Sequence, residues 1–280
     1  MGLVYAEPGL ANKALDSYEK AIEINPKLHQ AHYNMGNVYK AAKQFDRAIE
    51  SFKNAIEIKP DYIKAYNNLG IVYGYSYEYG KAISNLKKAI ELNPVDLSAH
   101  NNLGNLFKEL GDSENAKVHY EKAHKIAPND YELANNQGSL FQSTGDIKLA
   151  QKYFEKAINI NAKFITAHRH LCLIKKIKQN DAQFIHLKNL YLETDVKGSN
   201  RTELCFALAK CYDDLGDLQK SFELLCEGNT RRSKELNYSF KQDLNLFSEL
   251  KKVYLENFYE IASVKQKKFN HQPIFILGMP

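Results

Sequence analysis

The sequence predicts an all-α protein, an α-solenoid in which helical hairpins stack side by side. The prediction rests on three sets of residues that recur every 34 positions. They are the glycines Gly36, Gly70, Gly104 and Gly138, the alanines Ala48, Ala82, Ala116 and Ala150, and the prolines Pro26, Pro60, Pro94 and Pro128. A fixed period of about 20–50 residues is typical of stacked supersecondary units, each of which buries its apolar side against the next.

One unit, residues 29–62, shows why each repeat should be a pair of helices. Its first half places His32, Met35, Gly36 and Tyr39 at i, i+3, i+4 and i+7, which is one stripe of an α-helix. Its second half repeats this spacing with Ala48, Ile49, Phe52, Ala55 and Ile56. Pro60 ends the second helix, because proline lacks the N–H group and clashes with the preceding turn.

The glycines inside the first helices need a physical reason. A glycine in a helix interior costs about 1 kcal/mol relative to alanine. Four glycines in register therefore predict a close approach of the second helix, which a larger side chain would prevent. The small alanines are expected to serve the same approach from the other helix.

Taken in order, the chain is predicted to have four parts. Residues 1–164 form the repeat array, whose first repeat is incomplete because Met1 falls in the middle of a helix, as expected of a fragment. Residues 165–201 form a degenerate repeat and a loop. Residues 202–262 form one more hairpin and a connecting helix, and residues 263–280 a linker followed by a short apolar strand, Ile274–Leu277.

The repeats resemble the tetratricopeptide repeat (TPR). The third repeat carries its pattern at Tyr66, Leu69, Gly70, Tyr73, Ala82, Leu86, Ala89 and Pro94. The resemblance implies an α-solenoid whose first helices line a concave groove, and it implies a protein or peptide ligand in that groove.

The end of the chain resembles the opening of a sulfotransferase domain. Residues 273–280 are an apolar strand that runs into Gly278, Met279 and Pro280. The segments Phe206–Asp217 and Gly228–Arg232 resemble the region that joins TPRs to the catalytic domain in bacterial TPR–sulfotransferase fusions. The resemblance implies the first strand of a truncated α/β domain and a loop that binds the cofactor PAPS (the sulfate donor). The catalytic residues would lie beyond Pro280, so none is expected here.

An asparagine ladder is the candidate peptide-binding site. Counting positions in each repeat from His29 as position 1, asparagine recurs at position 6 and, in two repeats, at position 9. These candidate residues are Asn34, Asn37, Asn68, Asn102, Asn105 and Asn136. Asparagine disfavours helix interiors, yet its amide can donate to and accept from a peptide main chain at once. The alternative is a solvated polar face inherited by duplication.

Two further patterns have competing interpretations. The aromatic stretch Tyr73–Gly80 spans a hairpin turn, where its tyrosines either form a contact patch or fold onto neighbouring helices. His32, His100 and His168 share position 4, where a bulky packing residue is expected, and no spacing predicts a metal site.

Composition excludes other classes of function. The net charge of +5 is too small for a nucleic-acid footprint, and no apolar run approaches a membrane span of about 20 residues. The four cysteines lack a C-x-x-C spacing, which favours buried thiols in a cytoplasmic protein. We predict the interaction arm of a sulfotransferase. The alternatives are a stand-alone TPR scaffold or adaptor, and another phosphate-loop enzyme, such as a kinase, with a TPR arm.

Overall fold

The computed structural model describes residues 8–193, 198–236, 238 and 240–263, and all of its regular elements are α-helices. In chain order they are α1 Pro8–Ile24, α2 His29–Ala41, α3 Phe45–Ile58, α4 Ile63–Tyr75, α5 Tyr79–Leu92, α6 Leu97–Glu109, α7 Ser113–Ile126, α8 Tyr131–Ser143, α9 Ile147–Ile160, α10 Ile165–Ile174, α11 Ala182–Leu192, α12 Ser199–Asp214, α13 Leu218–Glu235 and α14 Phe240–Ser263. The predicted helical hairpins are therefore confirmed. The predicted strand Ile274–Leu277 lies outside the described residues.

In the regular array, hairpins pair α2 with α3, α4 with α5, α6 with α7 and α8 with α9, and α12 with α13 forms a further hairpin. We call the first helix of each hairpin the A helix and the second the B helix. Each B helix also packs on the A helix of the next hairpin, and consecutive A helices touch one another. The surface formed by α2, α4, α6 and α8 is named the A-helix face below.

The repeated glycines face a large side chain of their own B helix. A Cβ atom on Gly36 or Gly138 would lie 2.6 Å from a ring carbon of Phe52 or Phe154, and one on Gly104 would lie 2.6 Å from Tyr120. The predicted close approach is thus confirmed, but an aromatic or leucine side chain rather than backbone fills the space. The register alanines Ala48, Ala82, Ala116 and Ala150 are all fully buried.

The histidines at position 4 tie their repeats to the loop before them. His100 Nε2 lies 3.1 Å from the carbonyl oxygen of Pro94, and His168 Nε2 lies 2.9 Å from that of Ala162. Ala162 takes the place of the repeat proline, so the same contact recurs two repeats later. Both histidines are buried, which gives position 4 a packing role.

Aspartates begin several of the helices. Asp96, Asp112, Asp130 and Asp146 each accept a hydrogen bond from the backbone N–H three residues later, at the start of α6, α7, α8 and α9. Such a cap satisfies one of the free N–H groups of the first turn and contributes about 1 kcal/mol.

The turn inside each hairpin contains one residue in the left-handed region. This residue is Lys43, Tyr77, Gly111 or Gly145, with φ of 57°, 60°, 76° and 84° respectively. Glycine adopts this conformation without a steric penalty, whereas a residue with a Cβ atom loses about 1–2 kcal/mol. The two earlier repeats therefore carry backbone strain that the two later repeats avoid.

The repeat geometry changes after α9. The backbone of α10 packs mainly against α9 and α12, and α11 packs against α12 instead of closing a tight hairpin with α10. An irregular segment joins α10 to α11, with Ile177 buried and its N–H donating to Asp214 Oδ2 at 3.1 Å. The regular stacking of hairpins therefore ends at α9. Helix α12 begins at Ser199, within the segment predicted as a loop.

Candidate functional site

Positions 5, 6, 9 and 12 of the A helices place side chains along the A-helix face. Position 6 carries four of the predicted ligand residues, Asn34, Asn68, Asn102 and Asn136, and all four are half-buried. Position 9 carries Asn37 and Asn105, also half-buried. All six residues belong to the A helices, but their hydrogen-bonding states differ.

Asn68 is held in a network between α2 and α4. Its Nδ2 donates to Tyr33 Oη at 3.0 Å and to Asn37 Oδ1 at 2.9 Å. Its Oδ1 accepts a hydrogen bond from Lys40 Nζ at 2.8 Å. Both amide protons are thus committed, so Asn68 joins neighbouring repeats before any ligand arrives.

A second set of bonds ties α8 to its neighbours. Asn136 Nδ2 donates to Asn101 Oδ1 at 3.0 Å, and Lys108 Nζ donates to Ser139 Oγ at 3.2 Å. Farther along, His170 Nδ1 lies 2.9 Å from Asn135 Oδ1. Position 6 of one repeat therefore meets position 5 of the repeat before it.

A small cavity lies between these two networks, where α4 meets α6. It has a volume of about 170 Å³ and is lined by Gly70, Ile71, Gly74, Tyr75, Leu86, Asn102, Asn105, Leu106 and Glu109. Asn105 Oδ1 accepts a hydrogen bond from Tyr120 Oη at 2.6 Å, which leaves its amide protons uncommitted within the described chain. Asn34 and Asn102 make no side-chain hydrogen bond to any described residue. The ladder amides with uncommitted protons are thus those of Asn34, Asn37, Asn102 and Asn105 among the described residues.

Two lysines on this face were missed by the sequence interpretation. Lys40 and Lys108 share position 12 in alternate repeats, and burial lowers the pKa of both ammonium groups. Each donates to a neutral oxygen of the next repeat, and neither forms a salt bridge with a carboxylate in the described part of the chain. The two lysines are 68 residues apart and hold the same repeat position, and this recurrence could have predicted them.

The position-5 asparagines were also missed. Asn67 Nδ2 donates to Asp96 Oδ1 at 3.0 Å, and Asn67 and Asn135 are buried. They recur with the same 34-residue period as the ladder, but sequence alone does not distinguish an asparagine between helices from one beside a groove.

Neither metal binding nor a membrane span finds support in the described residues. No three His, Cys, Asp or Glu side chains there come together as a metal site. None of the described helices combines the length and the apolar character needed to cross a bilayer. The predicted cofactor-binding residues Gly278, Met279 and Pro280 lie outside the described residues.

Comparison with known families finds repeats along the first part of the chain. A family profile described as TPR repeat matches residues 2–43, 36–74 and 78–111. Two profiles described as tetratricopeptide repeat match residues 98–130 and 131–164. Together these matches cover more than half of the chain. No curated protein matches the sequence.

Solved structures show the same fold. TTC0263, a thermophilic TPR protein of Thermus thermophilus, is 22% identical, with 62% of this chain and 94% of that chain covered and a TM-score of 0.54. A chain of the APC/C hetero-tetramer Cut9–Hcn1 is 19% identical, with 78% of this chain and 44% of that chain covered and a TM-score of 0.59. MamA is 28% identical over 56% of this chain and 91% of that chain, with a TM-score of 0.49. The first two likenesses support the helical repeat fold.

Proposed function

The chain belongs to the tetratricopeptide-repeat family, and on this premise we propose that it is a protein-interaction module that binds an extended peptide along its A-helix face. The observation that carries the proposal is the cavity between α4 and α6, with Asn102 and Asn105 in its wall. Both asparagines have amide protons available, so the face offers fixed donors beside an opening.

The cavity suggests how such a peptide is held. Asn102 can donate to one main-chain carbonyl and accept from one main-chain N–H of an extended segment. A cavity of about 150 Å³ is enough for a benzene-sized group, so the opening at Gly70 and Gly74 can take one side chain of the peptide. Hydrogen bonds to the peptide main chain fix the position of the peptide along the A-helix face, and the cavity selects which of its side chains can enter.

The matched test removes one amide. Asn102→Ala should weaken binding of a peptide selected by phage display on the wild-type protein by up to about tenfold, because one hydrogen bond contributes roughly 0.5–1.5 kcal/mol. Fluorescence anisotropy measures the change. Asn159→Ala, on the exposed side of α9, is the control and should bind like wild type. Asn68 is a poor test, because its removal would also leave Lys40 and Tyr33 without their partner.

Salt dependence separates two modes of recognition. Binding through neutral amides should change little between low and physiological salt, whereas exposed charge pairs are screened. A steep loss of affinity with salt, or full affinity in Asn102→Ala, would contradict recognition through the asparagine ladder. A steep salt dependence would instead indicate binding through the charges of Lys40 and Lys108.

A second candidate function is the arm of a PAPS-dependent sulfotransferase. It is favoured by the residues Pro273–Pro280 and by the segments Phe206–Asp217 and Gly228–Arg232. In this proposal Gly278, Met279 and Pro280 open the loop whose backbone N–H groups hold the phosphosulfate. The stand-alone scaffold or adaptor remains the alternative, and the family and fold fit it at least as well.

The gene beyond codon 280 tests this candidate. A continuation as Arg-Ser-Gly-Thr supports it, and we then expect PAPS to raise the Tm of the extended protein, since a ligand that binds only the native state stabilises it. The 280-residue chain should show no shift with PAPS. A stop codon, or an extended protein that does not respond to PAPS, would leave the scaffold function.

A cytoplasmic location is part of the proposal. It is supported by the cysteines, which lack a C-x-x-C spacing. Cys172, Cys205 and Cys211 are buried, and buried thiols without a disulfide framework are typical of cytoplasmic proteins.

A further inference from the structure

The turn between α4 and α5 holds an aromatic residue where the later repeats hold glycine. Tyr77 has φ of 60°, and the corresponding Gly111 and Gly145 have φ of 76° and 84°. A Cβ atom built on either glycine would meet nothing within 4 Å, so the turn has room for a side chain but no partner for it. A bulky residue in the left-handed region is an outlier, which makes Tyr77 a candidate for a functional role.

Packing within the protein does not account for Tyr77. Its side chain is 76% exposed, and its ring contact is an edge-on one with Tyr79, at a centroid distance of 6.1 Å. Two residues earlier, Tyr75 is 58% exposed and packs on Phe45 at a centroid distance of 5.6 Å. The strain at Tyr77 is therefore not offset by burial. We call Phe45, Tyr75, Tyr77 and Tyr79 the aromatic rim.

The aromatic rim borders a cleft between two neighbouring turns. This cleft has a volume of about 560 Å³ and is lined by Lys43, Gln44, Phe45, Asp46, Arg47 and Ser76. Tyr75 stands between the cleft and the smaller cavity on the A-helix face, since it lines the latter and packs on Phe45 of the former. The rim thus adjoins the asparagine ladder and shares Tyr75 with the wall of its cavity.

The charged side chains around the rim, three cations and two anions, nearly cancel. Lys81 pairs with Glu78, and the Arg47 guanidinium lies over the ring of Tyr39 at 5.7 Å while it donates to Gln44 Oε1. Lys43 and Asp46 line the cleft with opposite signs. The surface therefore favours a neutral ligand that offers flat apolar groups to the tyrosine rings and free acceptors to their hydroxyls.

We propose that the aromatic rim binds a proline-rich segment of a partner protein in the polyproline II conformation. Proline rings supply flat apolar surface for Tyr75 and Tyr77, and aromatic-lined grooves recognise such segments in this way. Polyproline II has no internal hydrogen bonds, so its carbonyls are free to accept from tyrosine hydroxyls. The segment is already extended, which keeps the ordering cost of binding low. This site is additional to the proposed peptide groove.

The test uses a fluorescein-labelled decaproline peptide as the probe, with a glycine–serine peptide of equal length for comparison. Tyr77→Lys keeps a side chain at the strained position, as Lys43 does one repeat earlier, and should leave Tm unchanged while it weakens binding about fivefold or more. Tyr77→Gly should raise Tm by about 2–4 °C, because the strain is relieved, and should weaken binding to the same extent. If Tyr77 only stabilised the turn, its replacement would not raise Tm and weaken binding together.

Two control variants test whether decaproline binds at the aromatic rim and not at another surface. Phe222→Ser removes an exposed ring on α13 and should bind decaproline like wild type. Asn102→Ala should do the same, because Asn102 is not part of the aromatic rim, so either site can fail without the other. Unchanged affinity in both Tyr77 variants, or equal binding of the glycine–serine peptide, would overturn the proposal. Self-association in sedimentation that Tyr77→Lys abolishes would assign the rim to a second copy of the chain and would also overturn it.

Discussion

Replacing Gly70 by leucine should destabilise the protein by roughly 1–3 kcal/mol or more, because it overpacks a filled interface. A Cβ atom alone at Gly70 would lie 2.7 Å from Leu86 Cγ and 3.2 Å from the carbonyl oxygen of Ala82. The remaining leucine atoms would separate α4 from α5. Ala82→Leu should act in the same direction, because Ala82 is fully buried against the same contact. Urea unfolding followed by circular dichroism measures the loss.

The chain provides a matched control for this effect. Gly80 lies in the first turn of α5, and a Cβ atom there would meet nothing within 4 Å. Gly80→Leu therefore makes the same chemical change without a clash and should be neutral or mildly stabilising, because leucine favours helix more than glycine does. Since repeats couple mainly to their neighbours, hydrogen exchange in Gly70→Leu should rise first in residues 63–128. Equal stability of the two leucine variants, or unchanged protection there, would remove the close-packing argument.

Acidification should destabilise the protein between about pH 6.5 and pH 4 through two histidines. Burial lowers the pKa of His168 to about 4, with a further lowering from His186 and a partial opposition from the hydrogen bond to Ala162. Burial, followed by the charges of His100, Lys122 and Lys87, lowers the pKa of His119 to about 4. The unfolded chain titrates near 6.5, so it binds protons in this window that the folded chain does not. Stability is full above pH 6.5 and falls as the pH approaches 4.

The expected loss from His168 is about 2–3 kcal/mol at pH 4.5. His119 is more exposed, and solvent screening makes its share smaller. Burial also lowers the pKa of His124 and His170, which adds to the same trend. Thermal unfolding at half-unit intervals from pH 7.5 to 4.5 measures it. The double variant His119→Gln, His168→Gln should lose part of the slope, and its stability at pH 7.5 gives the cost of the substitutions themselves. A stability that is flat over this range in wild type would contradict the assignment.

The repeat pattern predicted the parts of the fold that depend on local spacing. Gly36 and its equivalents reveal a tight helix contact because an unfavourable residue recurs in register, and Pro60 marks a helix end by its own chemistry. The sequence could not reveal that an aromatic ring rather than backbone fills the space at Gly36, since that depends on the rotation of α3 against α2. For the same reason the break at α10 was visible only as lost periodicity. The new partnership of α10 with α12 is set by contacts distant in sequence.

The candidate site was likewise predictable from the sequence only in part. Helical spacing placed Asn68 and Asn102 on one face, but it could not tell them apart. Asn68 is committed to Tyr33 and Lys40 of the preceding repeat, whereas Asn102 stands beside a cavity. That difference depends on the residues at positions 9 and 12, where Gly74 and Ile71 leave an opening that Lys40 and Asn37 fill one repeat earlier. A repeat pattern describes what the units share, and the site depends on how they differ.

The uniform contact between Gly36 and Phe52, and its equivalents in later repeats, also bears on how such a chain can evolve. This contact lies inside each hairpin from α2 to α9, so recombination that adds or removes a whole unit leaves the internal packing of every hairpin intact. The junction of α10 with α12 lacks this freedom. Cys172 meets Cys211 there across an interface with no counterpart elsewhere in the described chain. Gene duplication can therefore vary the length of the array before α10, while the junction must be inherited intact.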